Sequence, residues 1–288
     1  MKLISKLPGP LLVLLGAICL SFGGLIVKSF DGANLWQILF WRQIFFSIII
    51  ALYLFFTYKK KFFTSFYNSG LPGFIGGLFL AVGFVAYVFA MYTTTVANTN
   101  FIITTETIFL ALFGYFFLKE KINLITFISI ILGMLGVLII LDNSLSIQSN
   151  EQFLGNIVAF IMPISFAVLV MVVRKYPKVD MIPAQFTAGV AAAVIGFFLA
   201  GKLAMSLHDF LLAFLAGFFQ IGFGFILITI GSQTTPAAVV GILMLTESVF
   251  GPLWAWLFIN EIPPMGVLTG GSIIIFSILL QSFLNKNK

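Results

Sequence analysis

The chain has 288 residues, 61% hydrophobic and 8% charged, against roughly 45 to 50% and about 25% in an ordinary soluble domain. A mean hydropathy of +1.16 with 36 phenylalanines leaves too little polar surface to face water on all sides, so hydrocarbon is the solvent to reason from. One cysteine, Cys19, excludes a disulfide framework and a cysteine-rich zinc site, and one histidine, His208, excludes a histidine metal site. The net charge of +6 is dispersed in short clusters between apolar runs, with no basic stripe carrying stacking aromatics, which excludes nucleic acid. No metal and no cofactor is expected.

Apolar runs of about 20 residues mark ten spanning helices, at 8–29, 34–57, 72–93, 96–118, 123–141, 154–174, 183–201, 209–230, 236–258 and 265–284. The first is too long for a signal-peptide core and lacks an A-x-A cleavage site, so it reads as a retained helix. Between the third and fourth, Thr93, Thr94, Thr95, Asn98, Thr99 and Asn100 mark a tight turn. With a cytoplasmic N-terminus, the inner side holds Lys2, Lys6, Lys59, Lys60, Lys61, Lys119, Lys121, Arg174, Lys175, Lys178, Lys286 and Lys288. The outer side holds only Lys28 and Lys202, so the positive-inside rule places both termini in the cytoplasm. The longest loops, 58–71 and 142–153, are too short to build a soluble core. An excess of lysine over arginine, abundant Ile, Phe and Asn, and the lack of an N-x-[ST] sequon favour a bacterial inner membrane.

At an offset of 141, Thr93, Thr94, Thr105, Glu106, Phe109 and Glu120 fall on Thr234, Thr235, Thr246, Glu247, Phe250 and Glu261. The same shift puts Ser129 on Gly270 and Gly136 on Ser277, small residues suited to close helix packing. The fold expected is therefore an all-α membrane protein of ten transmembrane helices in two inverted five-helix repeats, residues 1–145 and 146–288. An odd number of helices per repeat inverts the second half, and secondary transporters built this way hold substrate near the midplane.

These residues resemble the drug/metabolite transporter superfamily, specifically its tandem EamA-type members. The resemblance is carried by Lys28, by Phe40-Trp41-Arg42, and by Thr105-Glu106-Thr107 with Phe109 and Lys119-Glu120. In the second half it is carried by Gly155, Arg174, Thr246-Glu247-Ser248, Phe250 and Asn260-Glu261. Members often carry proline directly after the mid-helix glutamate, where Thr107 and Ser248 stand here. The resemblance implies a proton- or gradient-linked carrier of small organic metabolites, often an exporter of amino acids or related compounds.

Glu106 and Glu247 fall mid-span, where a charge costs about 2.5 to 3.5 kcal/mol on insertion scales and marks function by default. Helical spacing aligns Glu106 with Phe109 and Phe113, and Glu247 with Phe250 and Trp254. Such faces suit a cation held by charge and ring quadrupoles, or a protonated carboxyl that couples to a proton gradient. Arg42 lies too deep for loop charge and pairs either with a glutamate or with a substrate carboxylate. Trp41, Tyr87 and Gln220 complete the candidate cavity residues, each with packing as its alternative. Pro163 frees the carbonyl of Ala159 and Pro252 that of Ser248, so both are sites of helix distortion. Glu120 and Glu261, at membrane edges, suit gate or helix-terminus contacts.

An enzyme is not expected, since His208 beside Asp209 makes a poor catalytic pair, and no G-x-x-x-x-G-K-[ST] loop is present for ATP drive. The expected activity is alternating-access transport of a small cationic or zwitterionic metabolite, a quaternary ammonium compound or an amino acid. The alternatives are a proton-coupled exporter of neutral or anionic metabolites read by Arg42, and a channel. The partners are then the substrate, a coupling proton or cation, and the lipid bilayer, with the chain a monomer or a dimer.

Overall fold

The computed structural model describes residues 7–94, 96–141, 149–260 and 265–284. Lys2, Lys6, Thr95, Glu261, Lys286, Lys288, the side chain of Lys28 and the expected boundary at 145/146 lie outside the described residues. The helices are α1 (Gly9–Leu20), α2 (Gly23–Lys28), α3 (Leu35–Tyr58), α4 (Phe62–Thr93), α5 (Val96–Thr104), α6 (Glu106–Leu118), α7 (Leu124–Leu141) and α8 (Asn150–Ala159). They continue with α9 (Ile161–Lys175), α10 (Ile182–Leu199), α11 (Leu207–Phe214), α12 (Gly224–Ser232), α13 (Ala237–Met244), α14 (Thr246–Ile259) and α15 (Met265–Leu284). A 3-10 turn, Lys59–Lys61, joins α3 to α4, and a π-helical segment, Leu215–Phe223, joins α11 to α12. No strand occurs among the described residues.

Among the described residues, eight helical runs are long and apolar enough to cross a membrane, with Leu124–Ile140 a shorter apolar helix beside them. The difference from ten has two sources. The expected second and third spans form one run, Leu35–Thr93, of 59 residues. At about 1.5 Å per residue this is far longer than a hydrocarbon core of about 30 Å. The run doubles back at Lys59, whose φ of 48° breaks the helix, so that α3 packs on α4. The expected fifth span corresponds to α7, whose apolar stretch Leu124–Ile140 is the shorter helix beside the eight.

Four of the expected spans are broken rather than continuous, and the breaks have local causes. At Thr105, between α5 and α6, the hydroxyls of Thr104 and Thr105 donate to the carbonyls of Phe101 (2.6 Å) and Ile102 (2.5 Å), competing with the helical ladder. Pro163 has no N–H for the carbonyl of Ala159, and α8 ends at that residue. Pro252, by contrast, lies inside a continuous α14, and the break before that helix is at Leu245. Between α1 and α2, Ser21 turns its hydroxyl onto the carbonyl of Ile18 (2.6 Å).

A knot of buried rings joins four helices. Phe84 (α4) meets Phe46 (α3) and Phe225 (α12) edge-on, each at 5.3 Å, and Phe166 (α9) meets Phe225 at 5.9 Å. Far from it, α7 and α15 pack through small residues, and a Cβ on Gly136 would lie 2.7 Å from the carbonyl oxygen of Gly270.

That contact predicts an asymmetry between neighbours on α15. Gly270→Ala drives a methyl into the Gly136 carbonyl and should cost about 1–3 kcal/mol. Gly271→Ala, whose Cβ would have Val249 Cγ1 at 3.9 Å as its nearest neighbour, should be neutral. Thermal unfolding in detergent measures the difference, and equal melting of the two variants would rule out the close crossing.

Candidate functional site

Arg42 is carried into the bundle by α3, whose start is fixed by a reciprocal cap. The Asn34 side chain accepts from the backbone of Trp36 and Gln37, while Gln37 Oε1 accepts from Asn34 N. Seven residues on, about 10 Å along the axis, Arg42 is 5% exposed. Its guanidinium carbon lies 5.0 Å from the Tyr87 ring centroid and 5.9 Å from that of Phe84, so the ring knot forms its floor. Its Nη1 has no hydrogen-bond partner, and among the described residues no carboxylate lies within ion-pair distance of it. The pairing with Glu106 or Glu247 is therefore not made.

Arg42, Tyr87 and Gln220 line a cavity of ≈ 390 Å³ that reaches the loop Phe30–Ala33. Gln220 sits in the π-helical segment, a wide turn of the kind found at functional sites. Its Nε2 donates to the carbonyl of Leu20 (3.2 Å) at the break between α1 and α2. Gly23 makes this approach possible, since a Cβ there would lie 2.6 Å from Gln220 Nε2 and 3.2 Å from the Tyr87 hydroxyl. At the cavity rim, the Asp209 carboxylate accepts from the backbone N–H groups of Asp31 (3.0 Å), Gly32 (3.2 Å) and Ala33 (3.0 Å). Asp31 itself stays exposed, with His208 Nε2 3.8 Å away.

Glu106 and Glu247 lie outside this lining. Glu106, buried, is the first residue of α6, and Glu247, half-buried, is the second of α14. Both occupy the N-terminal turn of a half-helix, where the backbone dipole favours negative charge. The charge of Glu247 reaches both Glu106 and Tyr87. Beside them Thr107 donates to the carbonyl of Gly241 (3.0 Å), fixing α6 against α13.

The remaining candidates make packing contacts. Trp254 stacks on Phe22 (4.5 Å, 13°) and donates its Nε1 to Ser21 Oγ (2.8 Å). Phe250 touches Trp254, and Phe109 touches Phe113. Trp41 donates to the carbonyl of Leu203 (2.8 Å) and meets Phe210 edge-on at 4.8 Å, outside the cavity lining. Gly23, Asp31 and Tyr92, whose hydroxyl donates to the carbonyl of Ala33 (2.5 Å), also line the cavity, and neither they nor the anchoring role of Asp209 stand out in the sequence. The Asn34-x-x-Gln37 spacing was a legible signal for the helix start that positions Arg42.

At the other end of α6, Lys119 takes a left-handed φ of 55° and turns Glu120 back against Gly114, whose carbonyl accepts from Glu120 N (3.0 Å). Arg174 Nε (2.8 Å) and Nη2 donate to Glu120 Oε1. Ala237 N donates to Glu120 Oε2 (2.8 Å), and Arg174 Nη1 donates to the carbonyl of Gln233 (3.1 Å). Asn260, 141 positions after Lys119, has the same φ of 55°.

The model of the EamA-like transporter family matches residues 7–142 and 152–283. An uncharacterized transporter of Methanothermobacter thermautotrophicus is 30% identical over 195 residues, 63% of this chain and 54% of that protein, so the match spans about half of its length. Solute carrier family 35 member G1 of Mus musculus is 25% identical over 278 residues, 91% of this chain and 75% of that protein. An uncharacterized transporter of Clostridium kluyveri is 24% identical over 229 residues, 76% of this chain and 74% of that protein. One solved crystal structure superposes with a TM-score of 0.81 over 96% of both chains at 15% identity, a likeness of fold alone. The chain is a multi-pass membrane protein that belongs to the EamA-like transporter family of the drug/metabolite transporter superfamily.

Proposed function

We propose that the protein is an alternating-access carrier for a small metabolite bearing a carboxylate, with amino acids the class that fits best. One observation carries this reading: a buried guanidinium with an unpartnered nitrogen faces a cavity of ≈ 390 Å³. An uncompensated buried charge is costly, and a carboxylate is the ligand that the fork of an arginine pairs with best. A zwitterion adds no net charge to the site. Its ammonium group suits the Tyr87 side of the cavity, where the charge of Glu247 is felt. Of the two substrate classes expected from sequence, the geometry supports recognition through Arg42 over a cation cage, because one face of Trp254 is already covered by Phe22. The half-helix glutamates then serve as the coupling pair, sharing or exchanging a proton or cation as the two halves move. The lysine and arginine distribution supports a reading in which both termini are cytoplasmic and the cavity mouth opens on the outer side of a bacterial inner membrane.

A thermal-shift panel of amino acids, monocarboxylates, quaternary ammonium compounds and sugars tests the reading, since a ligand stabilises the state it binds. Amino acids should raise the melting temperature. Arg42→Gln should weaken them about 10- to 100-fold, the measure of a hydrogen bond to a charged group. Stabilisation by quaternary ammonium compounds that survives Arg42→Gln would reverse the assignment. A second outcome concerns Glu106→Gln and Glu247→Gln in liposomes. Both should keep ligand binding and lose accumulation driven by an imposed gradient, and loss of binding instead would put the carboxylates in the substrate site.

A further inference from the structure

The contacts at the end of the bundle away from the cavity mouth form a connected set that the substrate site does not use. Glu120 belongs to the first matched segment of the chain, whereas Arg174, Gln233 and Ala237 belong to the second. A single carboxylate therefore gathers the Arg174 fork and the first backbone N–H of α13 across the boundary between the halves. The local chain is shaped for this, because the left-handed turn at Lys119 and the missing side chain at Gly114 bring Glu120 over the start of α13. A Cβ on Gly114 would lie 3.2 Å from both Glu120 Oε2 and Ala237 Cβ. The same α13 leads into the break that presents Glu247.

We propose that Glu120 and Arg174 are the latch that shuts this end of the bundle, and that releasing Glu120 is the step that lets cargo leave there. Movement of one half against the other has to break these contacts, because they are made between the halves. The Glu120 side chain is 18% exposed and that of Arg174 19%, so water reaches the pair and opening it buries no unpaired charge. Within the second segment Gln233 braces Arg174, its carbonyl accepting from Arg174 Nη1 (3.1 Å) while its Nε2 donates to the carbonyl of Val179 (3.4 Å). This assignment rests on the carrier reading, but its test needs no cargo and so fails separately from it.

The reporter is Val240→Cys in a Cys19→Ser background, a position one turn inside the latch and 0% exposed. A membrane-impermeant maleimide is applied to purified protein in nanodiscs, with elution volume and helical content checked for every variant. Glu120→Gln keeps an acceptor for Ala237 N but loses the charge, and should raise the labelling rate about tenfold, as should Arg174→Gln; charge-assisted bonds are roughly twice as strong as neutral ones. The double variant should label no faster than either single, since both remove one tie, while Lys178→Gln on the nearby exposed loop should label at the parental rate. Arg174→Lys, which keeps the charge but not the fork, should fall between. Parental labelling rates in folded Glu120→Gln and Arg174→Gln would overturn the latch. So would additive effects in the double variant.

Discussion

Hydrocarbon offers no hydrogen bonds, so every backbone group that leaves a helical ladder has to find a partner inside the protein. That constraint organises this bundle, because the spanning helices are interrupted in four places. Where α1 stops, the freed carbonyl of Leu20 takes the amide of Gln220, and Ser21 takes the indole of Trp254. Where α5 stops, threonine hydroxyls occupy the last carbonyls. Where α13 starts, Glu120 receives its first N–H. At the α1 break and at the start of α13 the partner comes from the other half of the sequence. These two sites therefore tie the halves together.

The same rule explains why three polar residues converge on one cavity. A π-helical turn is needed to bring Gln220 to the Leu20 carbonyl, and a glycine at position 23 is needed to let it arrive. Once Gln220 and Tyr87 are held there, Arg42 emerges from α3 over an aromatic floor that can pack against its flat face but cannot pair with its charge. The surroundings of the guanidinium are thus built by the fold, while its Nη1 has no hydrogen-bond partner. The two glutamates stand outside the cavity lining at the starts of half-helices, and the charge of Glu247 reaches both Glu106 and Tyr87.

Much of this was legible in the residues. Composition fixed the solvent, the apolar runs located the helices, and the pair Glu106 and Glu247 at one spacing disclosed a repeat that recurs as identical left-handed turns at Lys119 and Asn260. Arg42, Tyr87 and Gln220 were named from depth and polarity. What could not be read was orientation about the helix axis. Helical periodicity is a weak guide in a chain apolar on all sides, so Trp41, beside Arg42, looked equally able to line the cavity and instead packs on Phe210. The helix breaks were also hidden. Pro163 announces one, but Pro252 announces none, and the break near Glu247 falls at Leu245 without a proline. Counting apolar runs further assumed that each stands alone, whereas the second and third are joined through Lys59–Lys61 into one helical run.

The pinning of the Phe30–Ala33 loop by Asp209 has a kinetic meaning. With three of its N–H groups held by a buried carboxylate, the rim keeps its shape, and its own Asp31 is left projecting into water at the threshold. Threshold and floor therefore carry opposite signs, negative outside and positive within. On the carrier reading proposed above, a bare anion would be drawn to the floor but slowed at the threshold, a cation the reverse, and a molecule carrying both charges would meet no net opposition at either. Because charges in water are screened over about 8 Å at physiological ionic strength whereas buried ones are not, added salt should speed the capture of an anion, slow that of a cation, and leave a zwitterion's on-rate nearly unchanged. For the carrier proposed above, selection at this mouth would be a matter of rate before it became one of affinity.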